Sequence, residues 1–179
     1  VISKDIRVND YVVVRKAGDV IPEVVRSLKE RRNGEEKKFK MIECCPHCGS
    51  KLIRKENEAA YYCLNKDCDS KIIESIIHFA SRDAMNIDGL GEKIIEQFYN
   101  LGFVKCIEDI YDLYKHKNEI MEIEGFGQKS IDNLIQAIEK SKQNSMEKLL
   151  FGLGIRGIGA KMADVLSAHF KSIDSLMEA

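Results

Sequence analysis

The sequence predicts a multi-domain, mainly α protein in three parts: a partial β-barrel segment, a small four-cysteine module and a helical domain made of a repeated hairpin. Three observations predict it. β-branched residues cluster before residue 42, four cysteines with metal-ligand spacing lie between 45 and 68, and an Ile-x-Gly-apolar-Gly-x-Lys pattern occurs three times after residue 86. The expected boundaries are 1–42, 43–70 and 71–179.

The β segment rests on Val12, Val13 and Val14, then Val20, Ile21, Val24 and Val25, interrupted by Gly18 and Pro22. Such residues favour a pleated, half-buried surface. Asn33-Gly34 is a two-residue turn signal, and Phe39, Met41 and Ile42 suggest a return strand. About 40 residues of β structure make too small a core to stand alone. The segment therefore reads as the end of a barrel or sandwich whose first half is missing.

The module begins with Cys45-Pro46-His47-Cys48-Gly49 and continues to Cys63 and Cys68. Two thiolates three positions apart fit one tight turn around a metal. Gly49 lets that turn fold back, so that backbone N–H groups can face the sulfurs. The second pair closes a tetrahedral site, and four thiolates without an open position make a structural rather than a catalytic Zn²⁺ site. Cys44 competes for the first position and His47 could replace a thiol, but Cys45 alone makes the C-x-x-C spacing with Cys48. Cys106 stands apart and is expected to be a small, partly buried residue.

The helical part shows apolar spacing of one, three and four at Ile72-Ile73-Ile76-Ile77-Ala80, Ile94-Ile95-Phe98, Ile131-Leu134-Ile135-Ile138 and Met162-Val165-Leu166. No Pro follows Pro46, so the breaks must come from Gly. The repeat supplies them: Ile87-Asp88-Gly89-Leu90-Gly91-Glu92-Lys93, Ile123-Glu124-Gly125-Phe126-Gly127-Gln128-Lys129 and Ile155-Arg156-Gly157-Ile158-Gly159-Ala160-Lys161. The first Gly permits a positive φ. The apolar residue plugs the gap between two helices. The second Gly leaves bare backbone at the next helix's N-terminus, where unpaired N–H groups and the helix dipole can hold a phosphate oxygen. Lys93, Lys129 and Lys161 sit one turn in. Backbone capture of this kind reads no bases. The pattern has no third glycine and no leading strand, so it is not a dinucleotide fingerprint, and no Gly-x-x-x-x-Gly-Lys-Ser/Thr is present.

Charge and composition bound the possibilities. The chain has 179 residues, is 44% hydrophobic and 32% charged, and carries net charge −1. No apolar run reaches the roughly 20 residues of a membrane helix. Val1, Ile2, Ser3, Lys4 and Asp5 lack the basic and apolar parts of a signal peptide, and the missing initiator Met suggests an excised piece. Residues 1–42 hold 11 Lys/Arg against 7 Asp/Glu, while residues 71–179 hold 13 against 17. The first segment can attract a polyanion, whereas the helical part needs aimed local donors.

With these residues in place, the repeats resemble helix-hairpin-helix motifs. The whole chain resembles the bacterial NAD-dependent DNA ligases. Arg15-Lys16-Ala17-Gly18-Asp19-Val20-Ile21-Pro22, Cys45-Pro46-His47-Cys48-Gly49-Ser50, His78-Phe79-Ala80-Ser81-Arg82-Asp83-Ala84-Met85 and Leu153-Gly154-Ile155-Arg156-Gly157 carry the likeness. The resemblance implies that 1–42 is the C-terminal part of an OB-fold domain. A four-cysteine zinc finger and a helix-hairpin-helix domain follow, with three complete hairpins and the fourth truncated. It also implies a parent that moves AMP from NAD to a lysine of a Lys-x-Asp-Gly motif and then to a 5′-phosphate, using a divalent metal such as magnesium. No Lys-x-Asp-Gly is present; Asn86-Ile87-Asp88-Gly89 lacks the lysine. This piece is therefore expected to hold no catalytic residue and to clamp nicked duplex DNA, as a monomer in the bacterial cytoplasm at the nucleoid. Arg15 and Lys16 would lie near the minor groove. The alternatives are a non-enzymatic, structure-specific DNA-binding protein of repair or recombination and a protein-interaction scaffold.

Overall fold

The structure, a computed structural model, describes residues 2–18, 20–56 and 58–179. Val1 and Asp19, which belong to stretches read above, lie outside the described residues, as does Asn57. The chain forms two compact units, 1–45 with 50–63 and 46–49 with 64–179.

Among the described residues, the β part holds four strands: β1 (Arg7–Val8), β2 (Val12–Ala17), β3 (Ile21–Ser27) and β4 (Lys37–Lys38). They make two separate antiparallel pairs, β1 with β4 and β2 with β3. Val12 faces Ser27 and Ala17 faces Ile21, with a register shift at Val13/Val14. Gly18, at φ +55°, begins the connection between them. Two sequence expectations fail here. Asn33-Gly34 does not join a hairpin: the Glu36 carboxylate accepts from both N–H groups, and Asn33 Oδ1 accepts from Glu35 N–H, which makes a self-contained bend. Phe39, Met41 and Ile42 form no strand and are exposed, because no apolar surface lies over them.

Among the described residues before 43 only Ser27 is buried as a whole residue, and no apolar side chain there is. An ion-pair cluster holds this part in place of a core. The Arg32 guanidinium, 14% exposed, meets both carboxylate oxygens of the fully covered Asp10 at 2.7 Å. It also donates to the Asp5 carboxylate at 3.1 Å and to the Asp5 carbonyl at 2.6 Å. These bonds to Arg32 hold the carboxyls of Asp5 and Asp10 below the usual carboxylate range.

The helical part runs α1 (Asp69–Ala80), α2 (Glu92–Leu101), a 3₁₀ segment (Glu108–His116), α3 (Lys117–Met121), α4 (Gln128–Ser141), α5 (Met146–Gly152), α6 (Ala160–Phe170) and α7 (Ile173–Met177). The expected apolar faces of α1, α2 and α4 form one core: Ile76 and Phe79, Ile95 and Phe98, and Ile131, Leu134 and Ile138 are all buried. Val104, Ile110, Leu113 and Ile120 complete that core from a stretch the repeat pattern passed over. Their signal was the Ile107-Ile110-Leu113 spacing of three, which suits 3₁₀ turns rather than an α-helical face.

The fourth expected apolar face is different. Ala163 of α6 is buried, but Met162 is 47% and Val165 61% exposed. The helix forms as expected, but of that face only Leu166 is half-buried, and Met162 and Val165 are left largely uncovered. Periodicity reports a helical face and not what lies against it.

The α1 and α2 helices are also joined by a polar contact. Tyr99 Oη, on a buried residue, donates to Asp69 Oδ1 at 2.6 Å, and Lys105 Nζ lies 4.0 Å from the Tyr99 ring centroid. The Asp69 bond, with burial, raises the Tyr99 phenol to about 12. The unfolded phenol ionises near 10, so this contact's stabilisation is present below that pH and is lost as pH rises to about 12. Urea midpoints measured across this range should fall more steeply for the parent chain than for Tyr99→Phe. Parallel curves would show that the phenol is not coupled to folding.

Candidate metal centre and nucleic-acid interface

The cysteine module contains a hairpin of β5 (Leu52–Arg54) and β6 (Tyr61–Cys63), in which Cys63 faces Leu52. Its first turn closes where Cys45 N–H donates to the Ser50 carbonyl at 2.8 Å, and Gly49 adopts φ +70°. Glycine enters that backbone region without the Cβ clash that most residues meet. At the far end Asn65 Oδ1 accepts from Asp67 N–H, folding the chain back before α1. Cys68 is the N-cap of α1, and its carbonyl accepts from Lys71 and Ile72 N–H. Its sulfur therefore sits beside the N-terminus of α1.

The Sγ atoms of Cys45, Cys48, Cys63 and Cys68 lie within 4.8 Å of one another. Tetrahedral zinc with bonds of about 2.3 Å separates its sulfurs by about 3.8 Å, which that spread accommodates. Cys45 and Cys68 are buried, and Cys48 and Cys63 are half-buried. Four soft donors in this arrangement suit one closed, structural Zn²⁺. Cys44 is exposed, and its backbone bridges to Lys51; His47 is exposed and outside the group. Both sequence ambiguities are thereby resolved in favour of Cys45. Cys106 is exposed and not partly buried as expected, because Lys105 and Cys106 N–H both bond Asp109 in a surface turn.

The three repeat turns share one geometry. In each, the apolar residue's N–H donates to the carbonyl of the Ile three positions back: Leu90 to Ile87 at 3.2 Å, Phe126 to Ile123 at 2.9 Å and Ile158 to Ile155 at 2.9 Å. The first glycines, Gly89, Gly125 and Gly157, have φ of +86°, +91° and +90°. That is the value a type II turn demands at its third position. The second glycines, Gly91, Gly127 and Gly159, are the N-caps of α2, α4 and α6, all extended and without a side-chain cap. Lys93, Lys129 and Lys161 are exposed at the second residue of α2, α4 and α6, within the first turn rather than one turn in. The plug residue is buried at Leu90 and half-buried at Phe126 and Ile158.

In the β part, Arg15 Nε donates to Glu23 Oε1 at 2.7 Å across the β2–β3 pair, and Lys16 faces Pro22 in the register. Arg15 is 67% exposed, so this ion pair contributes little to stability.

Comparison with known proteins gives the same order of parts. Residues 1–36 match the family model of the NAD-dependent DNA ligase OB-fold domain, and residues 44–69 match that of the NAD-dependent DNA ligase C4 zinc finger domain. Residues 81–140 match a SAM-like helix-hairpin-helix tandem, and residues 148–179 match a helix-hairpin-helix motif. The chain is 52% identical over 177 residues to proteins called DNA ligase from Bacillus mycoides (strain KBAB4) and Bacillus cereus (strain B4264). It is 51% identical to one from Bacillus thuringiensis (strain Al Hakam). Each match covers 99% of this chain and 26% of the relative, so the chain spans about a quarter of the length of these relatives. No helix among the described residues is long and apolar enough to cross a membrane. Two ligase-specific models and two hairpin models thus match in order along a 52% identical alignment, and the chain is similar, part by part, to the OB-fold and C4 zinc finger domains of NAD-dependent DNA ligases and to helix-hairpin-helix motifs.

Proposed function

We propose that this chain is the part of an NAD-dependent DNA ligase that holds nicked duplex DNA. Residues 1–42 act as the end of an OB-fold domain, 43–70 as a zinc finger and 71–179 as the hairpin domain. The parent joins the nick by passing AMP from NAD through a lysine to the 5′-phosphate, with magnesium, on residues outside this chain. It works as a monomer in the bacterial cytoplasm, on nucleoid DNA.

One observation carries the reading. A Cβ built at Gly91, Gly127 or Gly159 meets nothing within 4 Å, and none of the three has a positive φ. Neither packing nor backbone conformation within the chain requires glycine there. A ligand that approaches the backbone closely does, and at a helix N-terminus the fitting ligand is an anion. Three such positions in one repeated frame suit successive phosphates of a duplex. Gly89, Gly125 and Gly157 shape the turns, and Lys93, Lys129 and Lys161 add charge. Arg15 and Lys16 supplement the grip from the β part.

Fluorescence anisotropy with two unrelated duplexes, each intact or nicked, over a salt series tests this. The expected dissociation constant is at the weak end of roughly 10⁻⁴ to 10⁻⁶ M and rises steeply with salt. Gly91→Val, Gly127→Val and Gly159→Val should each weaken every duplex alike while the thermal midpoint barely moves. Lys93→Gln, Lys129→Gln and Lys161→Gln should lower the salt slope by about one counterion each at most. Unchanged affinity in all three folded glycine variants would return the hairpins to a purely structural role.

A further inference from the structure

The stretch His78-Phe79-Ala80-Ser81-Arg82-Asp83-Ala84-Met85 marks the end of α1, yet nothing in metal binding or in the turns uses it. Its atoms converge on α5, the helix that leads into the third hairpin. His78 Nε2 lies 2.8 Å from the Phe151 carbonyl oxygen. A carbonyl only accepts, so that nitrogen carries the proton and donates. The His78 ring packs edge-on against Phe151, with centroids 4.9 Å apart. One residue on, Gly152 is buried, and a Cβ there would lie 3.3 Å from Ala84 Cβ, 3.3 Å from Phe79 Cδ2 and 3.5 Å from Met85 Cγ. The α5 backbone thus presses directly onto Phe79, Ala84 and Met85. Asn144 Nδ2, just before α5, donates to the Met85 carbonyl at 2.7 Å. Past α5, a Cβ added at Gly154, whose φ is +61°, would come within van der Waals reach of His78 Cδ2.

We infer that residues 78–85 form a socket that seats α5 and so sets the position of the third hairpin relative to the first. His78 and Gly152 are its positioning residues. The first hairpin follows the socket directly in the chain, starting at Ile87, and the third follows α5. One joint therefore governs the offset between two phosphate-gripping turns. This matters because tethered contacts reinforce one another only when geometry lets them engage together. Met162 and Val165 are exposed on α6, so the core holds the third hairpin less firmly than the first two, and the socket carries a larger share of its placement. The consequence for DNA rests on the proposed phosphate grip, whereas the socket itself does not.

The test uses the zinc-loaded chain and the variants His78→Phe, which keeps a ring and removes the donor, His78→Gln, which restores a donor, and Gly152→Val. Amide hydrogen exchange without DNA should speed about fivefold over 146–161 in His78→Phe, the loss expected for one hydrogen bond. It should return towards the parent rate in His78→Gln, with α2 and α4 unchanged in both. Gly152→Val should speed the same segment at least as much. With duplex DNA, His78→Phe should weaken binding in the parent background and cause no further loss in a Gly159→Val background, because a displaced hairpin has nothing left to lose. Parent-like exchange over 146–161 in His78→Phe and Gly152→Val overturns the socket. Losses from His78→Phe and Gly159→Val that multiply overturn its role in placing the hairpin. If Gly159→Val alone leaves binding unchanged, the phosphate reading falls, and the exchange rates decide the socket without it.

Discussion

Stripping the metal with a strong chelator, or replacing Cys68 by Ser, is expected to unfold residues 43–70 and to fray the first turn of α1. The module has little apolar core, since Cys45 and Cys68 are its only buried residues among those described. A structural zinc supplies on the order of 10 kcal/mol of folding free energy, more than such a module could recover from packing. Cys68 is the most sensitive ligand because it does two jobs: its sulfur joins the four-thiol cluster and its carbonyl starts the α1 hydrogen-bond ladder. Native mass spectrometry should show one zinc per parent chain and none after chelation or in Cys63→Ser plus Cys68→Ser. Amide exchange should then rise across the module. Cys44→Ser and His47→Ala should keep the metal. A metal-free chain with an ordered module, or zinc lost from Cys44→Ser, would contradict the assignment.

The second large effect is expected at Phe98. Its side chain is fully buried, 5.8 Å from the Phe103 ring and 5.5 Å from the Phe126 ring, centroid to centroid. Phe98→Ala leaves a cavity and should cost about 3–5 kcal/mol, a lowering of the thermal midpoint by roughly 10 °C for a chain of this size. Phe126 plugs the second hairpin and leans on Phe98, so that turn should loosen with it. Met162→Ala, on the equivalent helix of the third repeat, should shift the midpoint far less, because that side chain is half in solvent. Calorimetry on the two variants decides the matter. Equal shifts would mean that the third repeat is packed like the others.

Sequence reasoning placed these residues in one class, since Phe98 and Met162 sit on the helical apolar faces that follow the first and third copies of the repeat. What set them apart is the presence of a neighbour, which periodicity cannot register. The same limit hid the α1–α5 socket. Gly152 and Ala84 matter for what their missing or small side chains allow to come close, and His78 reaches a carbonyl 73 positions away. The β part failed for a related reason. Phe39, Met41 and Ile42 read as a strand, but pairing needs a partner edge, and the part is held by Arg32, Asp10 and Asp5, whose meeting over 22 and 27 positions no local pattern announces.

Local features were determined by the sequence alone. The C-x-x-C spacing selected Cys45 over Cys44, because two thiolates reach one ion only from a single tight turn. The glycine pairs specified three turns with the same hydrogen bond and the same φ, because such a backbone conformation is strained for any residue with a Cβ. Tertiary structure alone decided which apolar faces are covered, which charges neutralise one another and how the third hairpin is seated. Those are contacts between distant segments, and their free energy depends on what arrives opposite each side chain rather than on the side chain itself.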